Sequence, residues 1–450
     1  EDLRLSDNPA LSAALAAGGP VVWVYVRETG MDGAREMGGA AKWWLDKSLR
    51  ALAADIAKAG GQLVLRTGRA EDVLRSIMHE TGATAVFWNR RYSEPEKTAD
   101  AALKASLKAA GVTVQSFNAR LLMEPWELKT GAGGYYRVFT PFWRACLGAG
   151  EPRSPLPVPA SLDGLAAESD ALDDWGLLPT RPDWAAGLRE AWTPGERGAH
   201  DRLENFVEEG LPLYHRRDEP GIEATSRLSP HLRFGEVSPF EVWHRLRHGL
   251  DAGATKNRAR FLSELGWREF SYHTLFHHPD LATRNYRADF DAFPWSHPGE
   301  SVLDRWRHGR TGVPVVDAGM RELWRTGWMH NRVRMITASF LTKNLQVDWR
   351  VGEEWFWDTL VDADEANNAA SWQWVAGSGA DAAPYFRVFN PELQAQKFDA
   401  HGVYVHRWVP ETGTDDYPEP MVDLRESRQQ ALDAYQAVKA AKAARDASAR

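Results

Sequence analysis

The chain has 450 residues, 43% apolar and 26% charged, a length that calls for two or three domains and a composition typical of soluble globular proteins. Its single cysteine, Cys146, excludes disulfides within the chain, all-cysteine zinc sites and cysteine-ligated iron–sulfur clusters. The net charge of −8 argues against wholesale coating of nucleic acid, yet residues 256–350 carry 15 Lys/Arg against 10 Asp/Glu and leave room for a basic face.

The first 125 residues alternate in type. Val21–Val26, Gln62–Arg66, Thr84–Asn89 and Val112–Phe117 are short β-prone runs. Between them, Ala41–Ala59, Ala70–Glu80 and Glu96–Ala110 place apolar residues at helical spacing. That order predicts an α/β domain over 1–125, a doubly wound parallel sheet. No GxGxxG follows a strand and no GxxxxGK[ST] occurs, so neither a Rossmann dinucleotide site nor a P-loop is supported.

Seven prolines between Glu151 and Pro194 predict a long irregular connection, and an interdomain linker is assigned to 126–198. The patterning then turns helical over 199–410, with helices predicted at Ala199–Glu209, Pro239–Arg247, Lys256–Leu275, Val302–Arg307, Val316–Thr326, Asn331–Thr342 and Val351–Leu360. The remainder, 411–450, reads as a loop and a surface-lying or frayed helix from Ser427. No run approaches the ~20 apolar residues of a membrane span and no secretory leader opens the chain, so a cytoplasmic protein is expected.

Four segments carry chemistry. Thr225-Ser226-Arg227-Leu228-Ser229-Pro230 puts hydroxyls and a guanidinium at a helix start, which suits either an anion site or plain capping. Glu264, Trp267 and Arg268 share one helical turn, fit for hydrogen-bonding a heterocycle edge while stacking on its face, or for a surface acid beside a core indole. Asn331, Arg334 and Met335 share a face, and Arg334 needs an acid such as Asp362 or Asp364 if it is buried. Val361–Pro391 packs acids, amides, Trp372 and Trp374 into one apolar stretch, in a chain with 21 Trp. Indoles that dense point past packing, to stacking on aromatic ligands or electron transfer. No metal-ligand spacing and no nucleophile–base pair is present, so no metal site is expected.

Together these segments resemble the photolyase/cryptochrome family of flavoproteins, most closely its microbial cyclobutane pyrimidine dimer branch. The matching motifs are DLRLSDNPAL (2–11), VFWNRRY (86–92), YYRVFTPFW (135–143), TSRLSP (225–230), ELGWREF (264–270), TGWMHNRVRMITASFL (326–341) and DADEANNAASWQWVAGSGADAAPYFRVFNP (362–391). The resemblance implies an α/β N-terminal domain and an all-α domain that folds around FAD, in a deoxyribodipyrimidine photolyase, a carbon–carbon lyase. It implies that Tyr214, Thr225, Ser226, Arg227, Leu228 and Ser229 hold the phosphates and ribitol, with Arg268 also on the cofactor. It pairs Arg334 with Asp362 beside the isoalloxazine, sets Asp364 at the ribose side and turns Asn368 toward flavin N5. Trp372, Trp349 and Trp295 match the family's electron-transfer chain. Glu264, Trp267, Asn331, Met335 and Trp374 match the pocket for a flipped-out dimer, with Arg332 and Lys397 tracking phosphates at its mouth.

The further expectations are UV-damaged DNA as partner, a monomer, no membrane, and a bacterial cytoplasmic protein associated with the nucleoid when on DNA. Rival branches differ at named positions. The (6-4) photolyases have a His-His pair where this chain has His330-Asn331 and a further His at Met335. Plant-type cryptochromes have Asp at Asn368, and the DASH branch has Gln at Met335 and Tyr at Trp374. A blue-light photoreceptor remains the alternative to a repair enzyme. An antenna chromophore is expected between the domains, 5,10-methenyltetrahydrofolate ahead of deazaflavin, with Trp43, Asn89 and Arg91 as its neighbours. The chain lacks the apolar strand that precedes DLRLSDN in the family, which would cost the sheet a central member, and its 411–417 loop is short with little expected effect.

Overall fold

The computed structural model describes residues 2–247, 255–382 and 386–448; Ala383, Pro384 and Tyr385 of the 362–391 motif lie outside the described residues. The N-terminal part runs α1 (Pro9–Ala16), β1 (Trp23–Glu28), α2 (Gly39–Lys58), β2 (Leu63–Gly68), α3 (Ala70–Thr81), β3 (Ala85–Asn89), α4 (Glu94–Ala109), β4 (Thr113–Phe117) and α5 (Phe139–Gly148). Strands β1 and β2 pair in parallel from Trp23↔Leu63 to Glu28↔Gly68, and β3 with β4 from Ala85↔Thr113 to Asn89↔Phe117. β2 alternates faces residue by residue: Leu63 and Leu65 pack into the cluster of α2, while Val64 packs with Val73 and Ile77 of α3. Each face of that strand is covered by a helix, as the α/β patterning predicts. The parallel strands nevertheless form two pairs rather than one sheet, and β1 and β3 are half-buried along their whole length.

The stretch 126–198 is not a free connection. Phe139, Phe142 and Cys146 of α5 bury themselves against Phe270, and Ser169 and Asp170 bond the backbone of Leu65. The helical part follows as α6 (Ala186–Ala191), α7 (Glu196–Asn205), α8 (Leu211–Leu213), α9 (Ser229–Phe234), α10 (Pro239–Arg247), α11 (Thr255–His277), α12 (Glu300–Arg307), α13 (Pro314–Thr326), α14 (Asn331–Ser339), α15 (Trp349–Thr359), α16 (Asn367–Ala376), α17 (Pro391–Phe398), α18 (Val403–Trp408) and α19 (Leu424–Ser448). Two predicted helices pass into π-turns, at Phe206–Gly210 and Phe340–Asn344, the kind of local widening often found beside functional sites. The C-terminal helix is docked rather than frayed: Ala431 and Val438 are buried, and Tyr435 stacks on Phe386 at 4.5 Å. No helix among the described residues is long and apolar enough to cross a membrane.

The two parts are joined by buried polar contacts as well as by packing. Glu236, fully buried, accepts from Trp44 Nε1 (3.0 Å), Gly195 N (2.7 Å) and Ser48 Oγ, and lies 2.5 Å from His231 Nδ1. Arg4 reaches from the N-terminal motif to the carbonyl of Gly235 at 2.8 Å.

Candidate functional site

Arg334 and Asp362 form a forked ion pair, Nη1 to Oδ1 at 3.1 Å and Nη2 to Oδ2 at 2.8 Å. Helix α14 starts at Asn331 with His330 as its N-cap, so Arg334 sits in the first turn and its Nε donates back to the Met329 carbonyl at 2.7 Å. Ser229 Oγ donates to the same Asp362 oxygen as Nη2, at 2.6 Å. The TSRLSP loop, α14 and the 362–391 motif, distant in sequence, thereby meet at one carboxylate. Arg227 takes the left-handed conformation (φ 50°) and lies over the Trp328 ring at 4.7 Å, where its buried Nε has no acceptor. Thr225 and Ser226 are half-buried beside it, Ser226 Oγ accepts from Leu228 N, and the Leu228 side chain fills the core. Asp364 is used locally, accepting from Ala366 N, Asn367 N and Asn367 Nδ2, and so opens helix α16.

Asn368 is buried and spends its amide nitrogen on Glu353, 3.0 Å from the carbonyl and 2.8 Å from Oε1. Glu353 in turn is forked by Arg35 at 2.7 and 2.9 Å. Neither Arg35 nor Glu353 was expected from sequence.

A second cluster lies on α11. Glu264 Oε1 accepts from Arg217 at 2.5 Å, and Arg217 packs over the buried Tyr214 ring at 5.3 Å. Burial pushes the Glu264 carboxyl above its ordinary range while Arg217 opposes that shift. Trp267 lies flat on Phe139, centroids 3.8 Å apart and 9° between planes, with Phe270 edge-on. Phe139 was the missed partner, legible in that an aromatic-rich 135–143 motif needs an aromatic to face. Arg268 donates twice from Nη1, to the Arg120 carbonyl (2.7 Å) and to Glu269 (3.3 Å), and its buried Nη2 has no acceptor.

Glu269 beside it is fully buried, and desolvation raises its carboxyl from 4.5 to about 7. The folded chain then keeps this proton to near pH 7 while the unfolded chain releases it near 4.5. Folded protein binds more protons in that window, so stability falls as pH rises through it, by roughly 3 kcal/mol at about 1.4 kcal/mol for each tenfold change in proton affinity. Glu269→Gln is expected to flatten the slope of unfolding free energy between pH 5 and 8, read by urea titration at each pH.

At the start of α14, Asn331 is exposed and Met335 half-buried against the main helical core. Arg332 pairs with Asp218 at 3.0 Å, and both Arg332 (4.5 Å) and exposed Lys397 (5.0 Å) face the Phe398 ring. Trp374 is half-buried in a small cavity with Phe386, Phe389 and Tyr435. Among the described residues no group of three or more His, Cys, Asp or Glu is placed to hold a metal ion.

The family model described as the FAD binding domain of DNA photolyase matches residues 261–414, and the DNA photolyase model matches residues 1–160. A deoxyribodipyrimidine photo-lyase of Agrobacterium fabrum is 51% identical, covering 98% of this chain and 97% of its own. The chain belongs to the photolyase/cryptochrome family. The crystal structure of a bacterial class III photolyase from Agrobacterium tumefaciens agrees in fold with a TM-score of 0.92 at 51% identity, over 97% of this chain and 96% of that one. Cryptochrome-1 of Arabidopsis thaliana is 38% identical over 91% of this chain and 62% of its own length.

The photolyase FAD-binding domain thus runs through α11 to α18. Residues of this domain and of the 225–230 loop before it fit the cofactor on their own chemistry. An orphaned guanidinium nitrogen on Arg227 awaits an anion, and the Arg334 fork offers a charged edge to a polar heterocycle. Of the three tryptophans matched to the photolyase electron chain, Trp372 and Trp349 are both buried in the main helical core and Trp295 packs against it half-buried. Trp372 meets Phe356 edge-on at 4.9 Å and Trp306 at 6.3 Å, while Trp349 Nε1 donates to Asn285 at 2.9 Å. A Cβ on Gly352 would stand 2.1 Å from the Trp372 ring, so that ring's seat requires glycine there.

Between the two parts of the photolyase lies a groove of about 1060 Å³ lined by residues 28–35, the start of α4, 279–283 and Glu353, Glu354 and Glu365. Of the residues expected beside an antenna, none lines this groove itself, though Arg91 is ion-paired to its Glu28 at 2.7 Å. Trp43 is sealed in the α2 core, Asn89 holds Asp2, Asn8 and the Ala10 backbone, and Arg91 is saturated by Glu28 and Asp100. The residues at these three positions serve packing and pairing.

Proposed function

We propose that this photolyase-family chain repairs cyclobutane pyrimidine dimers in DNA using blue light. What supports the reading most directly is the stacked Trp267–Phe139 platform beside the Arg217-held carboxyl of Glu264. Stacking plus a hydrogen-bonding acid is how a site captures a base taken out of the duplex. FAD, when bound in its reduced form, supplies an electron donor that light can excite. The chain's own residues do the rest. Trp267 and Trp374 cradle the two rings, and Glu264 and Asn331 bond the base edges. Met335 closes the pocket against water, and Arg332 and Lys397 follow the phosphates without reading sequence. Tyr214, residues 225–229, Arg268, Arg334, Asp362 and Asp364 hold the cofactor, with Asn368 at its N5 edge. Trp295, Trp349 and Trp372 carry electrons inward from the surface.

For the antenna, the interdomain groove carries eight acidic residues against three arginines. That lining favours the cationic, amino-substituted ring of methenyltetrahydrofolate over a phosphate-bearing deazaflavin. The protein works as a monomer in a bacterial cytoplasm, meeting the nucleoid when it engages damaged DNA.

The purified, reduced protein is expected to restore thymines in a dimer-bearing oligonucleotide under blue light. Flavin binding with no restoration would instead establish a photoreceptor. Trp267→Ala is expected to weaken dark binding of that oligonucleotide ~10- to 100-fold, the ~1–3 kcal/mol of one base–aromatic stack. Fluorescence anisotropy should read this loss with flavin content unchanged; an unchanged affinity would remove Trp267 from the pocket.

A further inference from the structure

We infer that Arg35, a residue of the N-terminal part, is a positioning residue that fixes which atom of the Asn368 amide faces the flavin and so favours the reduced cofactor. This rests on the placement of Asn368 at flavin N5 proposed above. An arginine only donates, so a carboxyl forked by Arg35 at 2.7 and 2.9 Å must present acceptor oxygens on both arms. An amide beside such a carboxylate can offer it only N–H groups. Asn368 does so, with Nδ2 2.8 Å from Oε1, and the same nitrogen also donates to the Glu353 backbone carbonyl at 3.0 Å. The amide nitrogen is therefore spent, and its carbonyl oxygen is the group left to face the cofactor.

That oxygen can only accept. N5 of oxidised flavin is itself an acceptor and meets it lone pair to lone pair, whereas N5–H of a protonated, reduced flavin donates to it. The selection is made by a residue one carboxylate removed from the Asn368 amide. Arg35 is itself held, its guanidinium 4.2 Å over the Trp357 ring, and Trp357 Nε1 donates to the Glu36 carbonyl at 2.7 Å. The 35–36 segment thus clasps α15 and keeps the fork aimed at Glu353, whose side chain is 4% exposed.

The test is the reduction potential of FAD bound to the full chain, measured for the parent, Arg35→Gln, Arg35→Lys, Asn368→Ala and the double variant Arg35→Gln/Asn368→Ala. Arg35→Gln is expected to lower the preference for reduced over oxidised flavin about tenfold, ~30 mV for a two-electron couple. Arg35→Lys keeps the charge but not the fork, so it should restore less than half of that shift. In the Asn368→Ala background, Arg35→Gln should add nothing, because the effect passes through the amide. An unshifted Arg35→Gln, full restoration by lysine, or a shift that persists without Asn368 would overturn the proposal, the last two by exposing a plain through-space charge effect. If Arg35→Gln does not fold, Arg35→Lys with and without Asn368→Ala decides alone, since a shift of the same size in both would be equally fatal. A parent protein that takes up no FAD would overturn the functional reading as well; flavin uptake with any of the other adverse results overturns this inference only.

Discussion

Arg334→Ala is expected to release the flavin and to cost about 3–5 kcal/mol of folding stability, the penalty for leaving a buried charge without its partner. Asp362 has a side chain 4% exposed and two ionic contacts, both from the Arg334 fork. With alanine in place, Ser229 Oγ remains at 2.6 Å, but a hydroxyl brings no charge to offset the carboxylate. The same cut takes α14 out of the contact it shares with the 225–230 loop and the 362–391 motif at Asp362. Visible flavin absorbance per mole of protein and the urea midpoint should therefore fall together. Arg334→Lys separates charge from geometry: it restores a cation but not the planar fork, so stability should recover more than flavin content does. Full flavin content and an unmoved midpoint in Arg334→Ala would show that Asp362 finds water or another cation and is no keystone.

Glu236→Ala should cost a similar amount, about 3–5 kcal/mol, although Glu236 belongs to no motif that carries chemistry. It is the common acceptor for Trp44, Ser48 and Gly195 and the neighbour of His231 Nδ1, and all four are buried. Alanine leaves those buried polar groups without a partner and opens a void between α2 and α9. Because His231 stands just past the TSRLSP loop, flavin affinity should decline along with the melting temperature. Glu236→Gln retains one acceptor but sets an amide N–H against donors, and should fall between alanine and the parent. An alanine variant within 1 kcal/mol of the parent would mean that water fills the site and satisfies the donors.

The order of classes was readable because it rests on period: strands near 21–26, 62–66, 84–89 and 112–117 and the helices between them appear within a few residues of their predicted bounds. The division of the four strands into two parallel pairs, where one doubly wound sheet was expected, was not readable from period. What resisted was everything that depends on contact between distant segments. Short helices α1, α5, α17 and α18 are specified by what they pack on, such as Phe270 beneath α5, and not by a long periodic run. In the site, a guanidinium at 334 called for Asp362 or Asp364, and the family resemblance, not the chemistry, chose Asp362. Glu353, one acid among Trp349, Trp355 and Trp357, gave no sign that it would hold Asn368. Arg35, 318 residues away, gave none either. Arg217 was hidden within an ordinary basic run, and the docked face of the last helix was diluted by alanine.

Trp372 and Trp374 stand two residues apart on α16, about 200° around the helix axis. One faces Phe356 and Trp306 in the sealed core, the other a cavity rimmed by Phe386, Phe389 and Tyr435. A single turn of helix is thus a partition between two selective regimes. On the roles proposed above for these two indoles, substitutions on the Trp374 side of α16 would change what is repaired, or abolish repair, and leave the packing around Trp372 intact. A lineage could in this way lose its lesion and keep its sensitivity to light, without ever passing through a protein that does nothing.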